Sequence, residues 1–113
     1  MREFIKNHQI CNTMKKYKTL YEIKDIGYNE SSKLIRIIKD EKGKRFRIRI
    51  GVPIRTSNDI ECHCWNGTEW GFVCGRYDIT HTAINSYEQT PKKESLVMEA
   101  YDKIIKFIDC LED

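Results

Sequence analysis

The chain carries its clearest structural signal at residues 33–50, which read KLIRIIKDEKGKRFRIRI. From Arg45 to Ile50 charged and apolar residues alternate strictly, which indicates a strand with one buried face and one exposed face. The segment Lys33–Lys39 is rich in isoleucine, and Asp40–Gly43 between them is typical of a turn. We therefore predict a β-hairpin over these residues.

The register of this hairpin decides which side chains share a face. A four-residue turn over 40–43 pairs Lys39 with Lys44, and it forms an apolar face from Ile35, Ile37, Phe46 and Ile48. The other face then carries, beside Leu34 and Ile38, the arginines Arg36, Arg45, Arg47 and Arg49. Because side chains on one face lie about 5 Å apart across neighbouring strands, these arginines form a compact basic patch. A shift of the strand register by one residue would exchange the faces on which the side chains of residues 33–39 lie.

A second hairpin is predicted around Trp65-Asn66-Gly67, and two turns are open. A two-residue turn at 66–67 pairs Cys62 with Gly71 and leaves Trp70 and Phe72 on the face opposite Ile60. A three-residue turn with Gly67 in the left-handed conformation pairs Cys64 with Thr68. It gathers on one face Ile60, Cys62, Cys64, Trp70, Phe72 and Cys74. Because it buries more apolar surface, we favour the three-residue turn.

The C-terminal residues predict a long amphipathic helix. Thr90 is a capping residue, Pro91 suits the first helical position, and Glu94 follows in the first turn. Apolar residues then recur at helical spacing: Leu96, Val97, Ala100, Tyr101, Ile104, Phe107, Ile108 and Leu111. Strands followed by such a helix favour an α+β fold, an antiparallel sheet of four to five strands with the helix packed on one face. A helix on the Phe46 and Trp70 side would leave the arginine face in water.

Other segments give weaker signals, and together they predict a single domain over residues 1–113. Residues 20–26 are compatible with a strand, 27–32 with a loop, 3–17 with a short N-terminal helix and 76–82 with a further strand. Neither an internal repeat nor a low-complexity linker divides the chain.

Composition describes a soluble globular protein. Charged residues make up 33% and hydrophobic residues 40% of the 113 residues. The chain has no apolar run near the roughly 20 residues that cross a bilayer, and its N-terminus lacks the apolar core of a secretion signal. We therefore expect a cytoplasmic location and no membrane partner. In a reducing compartment free thiols are expected for Cys11, Cys62, Cys64, Cys74 and Cys110.

Charge is divided unevenly along the chain and points to an anionic partner. Residues 1–58 hold 15 Lys and Arg against 6 Asp and Glu, whereas residues 59–113 hold 5 against 11. Guanidinium groups bind carboxylates and phosphates through paired hydrogen bonds. An exposed tryptophan at the hairpin tip would add contact area. The predicted binding residues are Arg36, Lys44, Arg45, Arg47, Arg49 and Trp65.

The main hypothesis is a small non-enzymatic protein-binding domain, inhibitor-like or adaptor-like, which needs no cofactor. Its partner would be a larger protein with an acidic or nucleic-acid-handling surface. A first alternative is nucleic-acid binding by the same face, although Tyr17, Tyr21 and Tyr28 do not interleave with the arginines as base stacking requires. A second is self-association, for example as a homodimer, through the basic and acidic halves.

Metal binding and catalysis are weaker hypotheses. Soft ligands for zinc exist in Cys62, Cys64, Cys74 and His81, but a Cys-x-Cys pair within a strand lacks the usual spacing of a zinc knuckle. We therefore expect these cysteines to pack in the core. His63 points away from Cys62 and Cys64 in a strand, so they form no nucleophile and base pair. Glu61, Asp78 and His81 could meet in a cleft, but we expect no enzyme.

Overall fold

A computed structural model describes residues 15–26, 32–52, 57–79 and 93–111. Within these ranges the chain forms five strands and two helices, with a single turn of 3₁₀ helix at Ser57–Asp59 between the third and fourth strands. The strands are β1 (Tyr17–Ile26), β2 (Ser32–Asp40), β3 (Arg45–Val52), β4 (Ile60–Trp65) and β5 (Trp70–Gly75). The helices are α1 (Arg76–Ile79) and α2 (Lys93–Asp109). The strands form one antiparallel sheet in chain order, and α2 packs on β2 and β3. The predicted α+β class is confirmed.

The register of the first hairpin differs by one residue from the predicted one. Lys39 pairs with Arg45 instead of Lys44, and Ile38 pairs with Phe46. The reason is a turn of three residues, 41–43, in which Gly43 has a φ of 90°. A φ of this sign favours glycine, so the final turn residue is suited to this shorter loop.

Asp40 stabilises this shorter turn. Its Oδ1 accepts hydrogen bonds from the amides of Lys42, at 2.9 Å, and Lys44, at 2.8 Å. The backbone closes the same turn, because the Asp40 amide donates to the carbonyl oxygen of Lys44 at 2.9 Å. Asp at the first position and Gly at the fourth are typical of a type I turn. The side chain of Asp40 therefore selects the register.

The one-residue slip turns β2 over relative to the prediction. Leu34 and Ile38 lie on the α2 side, where they are fully buried. They pack with the apolar residues of β3, namely Phe46, Ile48, Ile50 and Val52. Arg36 lies on this side as well, whereas Ile35 and Ile37 lie on the opposite side, which we call the open face. The prediction that Ile35 and Ile37 lie on the same face of the sheet as Phe46 is therefore wrong.

The second hairpin has a four-residue turn, so both predicted turns are wrong. Trp65 pairs with Trp70, and the Asn66 amide donates to the Glu69 carbonyl oxygen at 3.1 Å. The Asn66 side chain accepts hydrogen bonds from the amides of Thr68 and Glu69, at 2.8 and 2.9 Å. Gly67 adopts a φ of 100°, as the left-handed conformation predicted for it requires.

A β-bulge in β5 separates its aromatic residues from the core. Cys62 pairs with Cys74 but the next residue, His63, pairs with Phe72, so Val73 is an extra residue. Cys62 and Cys74 are fully buried in the core cluster with Ile60. Trp70 and Phe72 instead lie on the open face. The two-residue turn that we did not favour predicted this side for them.

Helix α2 completes the core, and the structure differs from the predictions for two shorter segments of the chain. Its fully buried side chains are Val97, Ala100, Ile104 and Ile108. Thr90 and Pro91 lie outside the described residues, as does most of the predicted N-terminal helix, while Tyr17 at its end begins β1. Arg76–Ile79 forms a helical turn instead of a strand. Asp78 explains this because its Oδ2 accepts a hydrogen bond from the Gly75 amide at 2.8 Å.

Tyr17 connects the edge strand β1 to the end of α2. Its hydroxyl donates to Oδ1 of Asp109 at 2.8 Å, and its ring meets Phe46 edge to face with centroids 6.4 Å apart. Burial, reinforced by the hydrogen bond to Asp109, raises the pKa of Tyr17 well above its ordinary value. The folded protein therefore keeps the hydroxyl protonated at alkaline pH.

Replacing Tyr17 by Phe should lower the free energy of unfolding by about 1 kcal/mol at pH 7, the value of one hydrogen bond. In the parent protein the unfolded state releases the Tyr17 proton above pH 10.0 whereas the folded state retains it. The parent therefore loses stability as the pH rises above 10, and its advantage over Tyr17→Phe shrinks. Urea unfolding at pH 7, 9, 10.5 and 11 measures this difference.

The matched control is Tyr77→Phe, because Tyr77 is 77% exposed. This control should stay within about 0.5 kcal/mol of the parent at every pH. A constant difference between Tyr17→Phe and the parent across the pH series would contradict the role assigned to the buried hydroxyl.

Candidate binding face

The open face is organised in rows because residues of neighbouring strands pair directly. The middle row takes one residue from each strand, in the order Tyr21, Ile37, Arg47, His63 and Phe72. Strands lie about 4.8 Å apart, so this row spans about 19 Å. Arg47 stands at its centre with an aromatic residue at each end.

The three arginines of β3 share one face of the sheet, as predicted, and β3 is the central strand of the five. Arg45, Arg47 and Arg49 are alternate residues of one strand, so they project from the same face about 6.7 Å apart. Arg45 and Arg49 are exposed and Arg47 is half-buried. In the rows above and below Arg47, Arg45 pairs with Lys39 and Arg49 pairs with Ile35 and Glu61. We call these three residues the arginine column.

Aromatic side chains lie beside the arginine column and parallel to it. The Arg47 guanidinium stands 4.7 Å from the centre of the Trp70 ring, a cation–π contact. Trp70 meets Trp65 with ring centroids 5.3 Å apart, and Phe72 meets His63 edge to face at 5.8 Å. We call Trp65, Trp70, His63 and Phe72 the aromatic column. Phe72 is 64% exposed and Trp65 37%, so their rings are accessible.

Sequence reasoning missed this interleaving of arginine and aromatic residues. The alternation Trp70-Gly71-Phe72 does show that the two rings share a face. Which face they share depends on the length of the turn and on the bulge at Val73, and the sequence carries no clear mark of either. Trp65, by contrast, was predicted as an exposed binding residue, and it lies on the open face.

A hollow of about 340 Å³ opens at one end of the aromatic column. Its walls come from all five strands and consist of Leu20, Tyr21, Ile37, Arg45, Trp65 and Trp70. Leu20 lies at an irregularity of β1, where the register shifts between Thr19 and Tyr21. The hollow is therefore apolar and aromatic with a single guanidinium at its wall.

Arg36 and Lys44 do not lie on the open face, so the predicted placement of Arg36 on one face with Arg45, Arg47 and Arg49 is wrong. The Nε and Nη2 atoms of Arg36 both lie 2.7 Å from Oε1 of Glu22, and its guanidinium covers the Tyr101 ring at 4.6 Å. Burial acts to lower the pKa of Arg36, but hydrogen bonds with Tyr101 and Glu22 outweigh it and raise that pKa. Lys44 extends over the Phe46 ring, 5.6 Å from its centre, on the α2 side.

Arg36 therefore holds α2 against β1 and β2, and Arg36→Gln should lower the free energy of unfolding by about 1 kcal/mol. Arg49→Gln is the matched control, because Arg49 is exposed on the open face, and it should change stability by less than about 0.5 kcal/mol. Urea unfolding measures both variants. Equal losses in the two would show that Arg36 has no structural role of its own.

Cys62 and Cys74 pack in the core, and Cys64 is partly buried against it. Cys62, Cys64 and Cys74 are free thiols. Hydrogen bonding with Cys74, followed by burial, raises the pKa of Cys62, which disfavours its reactive thiolate. Within the described ranges no group of three His, Cys, Asp or Glu side chains could hold a metal ion. His81 and Cys11 lie outside those ranges.

Cys110 corrects one expectation from composition. It is disulfide-bonded, so the prediction of a free thiol at this position is wrong.

Glu61 and Asp78, two of the candidate acid–base residues, line one depression of about 220 Å³ beside Phe72 and Tyr77. Asp78 already binds the Gly75 amide, and Glu61 Oε1 lies 3.9 Å from Nε2 of His63. His63 lies on the open face and Cys62 on the other, as strand alternation predicted.

Comparison with models of protein families, with curated proteins and with solved structures finds no match for this chain. Among the described residues no helix has the length and apolar character needed to cross a membrane.

Proposed function

We propose that this protein is a small non-enzymatic binding domain whose open face holds a single strand of nucleic acid. The observation that supports the proposal is the arginine column lying directly beside the aromatic column on one sheet. Arginine binds phosphate groups through paired hydrogen bonds, and aromatic rings provide surfaces on which bases stack. A surface that binds a single strand of nucleic acid combines both kinds of group, and here they lie on the neighbouring strands β3, β4 and β5.

The charge of the open face agrees with an anionic ligand. Its described residues include the acidic side chains Asp25 and Glu61, and the Asp59 carboxylate lies beside Gly51 on the same face. The cationic side chains on the same face are Lys18, Lys33, Lys39, Arg45, Arg47 and Arg49. A positive surface of this kind attracts a polyanion from a distance and loses affinity for it as salt is added.

The test is binding of fluorescein-labelled dT12 at 50 and 200 mM salt, followed by fluorescence anisotropy. Three phosphate contacts predict an affinity loss of about 20-fold between these two salt concentrations, from the slope for single strands. The variant Arg45→Glu/Arg47→Glu/Arg49→Glu should abolish binding, because it reverses three charges of the ligand surface.

The matched control is Lys24→Glu/Lys42→Glu/Lys106→Glu. These lysines are exposed, lie outside the open face and give the same change in net charge. The control should bind dT12 within a few-fold of the parent. Equal losses in both triple variants would show that net charge alone drives binding, and absence of binding at 50 mM salt would contradict the proposal.

A second candidate is the docking of this face on an acidic surface of a larger protein, inhibitor-like or adaptor-like. Exposed apolar side chains favour it, because Leu20, Tyr21 and Ile23 are 40–51% exposed beside the hollow. Clusters of Trp, Tyr and Arg are frequent at the energetic centres of protein interfaces. Capture from a nuclease-treated extract that Arg47→Glu removes, together with no affinity for dT12, would favour this candidate.

We also propose that the protein can self-associate through its basic and acidic halves and that it is located in the cytoplasm. Sedimentation velocity at low and high salt tests the pairing of basic and acidic halves, since added salt should dissociate such a dimer. The three free thiols support a reducing compartment, whereas the disulfide at Cys110 argues against one. Fractionation of cells that express the tagged protein distinguishes a cytoplasmic location from an oxidising compartment.

A further inference from the structure

We infer that the open face provides two stacking sites for bases, Trp65 with Trp70 and then Phe72, and that the backbone of the bound strand follows β3. This inference rests on the proposed function and specifies its ligand as unpaired bases instead of a generic polyanion. It follows from the relation between the two columns, since each stacking site lies in register with an arginine.

The register defines that relation. His63 pairs with Arg47 and Phe72 pairs with His63, so Phe72 belongs to the row of Arg47. Trp65 and Trp70 form the next row, beside Arg45, and all three residues line the same hollow. Successive rows on a strand lie about 6.7 Å apart. A strand that runs along β3 can therefore place a phosphate at each arginine and the attached base over β4 and β5.

The aromatic column ends in the third row. Arg49 pairs with Glu61, and Glu61 pairs with Gly75, so this row has no aromatic residue of its own on β4 or β5. The Phe72 ring extends from the row of Arg47 over Gly75, where its Cζ lies 3.2 Å from the position that a Cβ would take. The column therefore offers two stacking sites for three arginines. Glu61 supplies a carboxylate beside the third position, where a base could only donate a hydrogen bond to it.

The rings are arranged before any ligand binds. Trp70 contacts the Arg47 guanidinium at 4.7 Å and the tilted Trp65 ring at 5.3 Å, and these two contacts restrict its orientation. Phe72 is positioned by the edge of His63 at 5.8 Å yet remains 64% exposed. Preorganised rings lower the entropy that binding would otherwise cost. In a duplex the faces of the bases are already stacked, so these sites select single strands.

The two tryptophans of the chain make a direct test feasible. Trp65 and Trp70 are its only tryptophans, so tryptophan emission reports on this column alone. Three 12-nucleotide probes of equal phosphate number are titrated at 50 mM salt: dT12, an abasic 12-mer and a dT12–dA12 duplex counted per strand. We expect dT12 to quench the emission and to bind at least 10-fold more tightly than either the abasic strand or the duplex.

Two variants locate the sites. Phe72→Ala and Trp65→Ala should each weaken dT12 binding about 5- to 100-fold, the effect of losing one stacked base. Neither should change the affinity for the abasic strand. Lys106→Ala is the control, since it truncates an exposed side chain on α2, away from the open face, and it should bind dT12 within a few-fold of the parent. Circular dichroism confirms that each variant is folded.

The outcomes separate the two proposals. Equal affinities for dT12 and the abasic strand, both lost in the triple arginine variant, would overturn base stacking and leave the phosphate contacts. Equal affinity for the duplex would also overturn it. Failure of dT12 and the abasic strand to bind at all would overturn the proposed function itself and favour an acidic protein partner.

Discussion

The carboxylate of Asp40 is the constraint on which the rest of this structure depends. It accepts the amides of Lys42 and Lys44, and with Gly43 in the left-handed conformation it closes a turn of three residues. Because successive side chains of a strand point to opposite faces, the length of this turn decides which alternating set of β2 side chains faces α2. A turn one residue longer would place Ile35 and Ile37 in the core and Leu34 and Ile38 in water.

The same register divides the cationic side chains between two tasks. Arg36 lies on the helix side, where Glu22 and the Tyr101 ring compensate its burial, and it contributes to the packing of α2. The arginine column lies on the open face, where Arg47 contacts Trp70 and the neighbouring guanidinium groups are exposed. Arginines of one hairpin thus serve stability on one face and, in our proposal, ligand binding on the other.

Aromatic side chains reach the arginine column because of two irregularities in the second hairpin. The four-residue turn, held by Asn66, pairs Trp65 with Trp70, and the bulge at Val73 lets Cys74 return to the core while Phe72 faces outward. Bulges are common next to functional sites because they redirect side chains without breaking the sheet. Here the bulge keeps a cysteine in the core and a phenylalanine on the surface only two residues apart.

Local patterns in the sequence determined the α+β class, the hairpins, the C-terminal helix and the shared face of Arg45, Arg47 and Arg49. These features depend on periodicity within one element, and periodicity can be read without knowing the partner strand. Only the tertiary structure decided the side to which Arg36 belongs and the meeting of Trp70 and Phe72 with the arginines. Those properties depend on strand register. Register is set by the hydrogen bonds of Asp40 and Asn66, which hold turns that each differ by one residue in length from the turn favoured by the sequence.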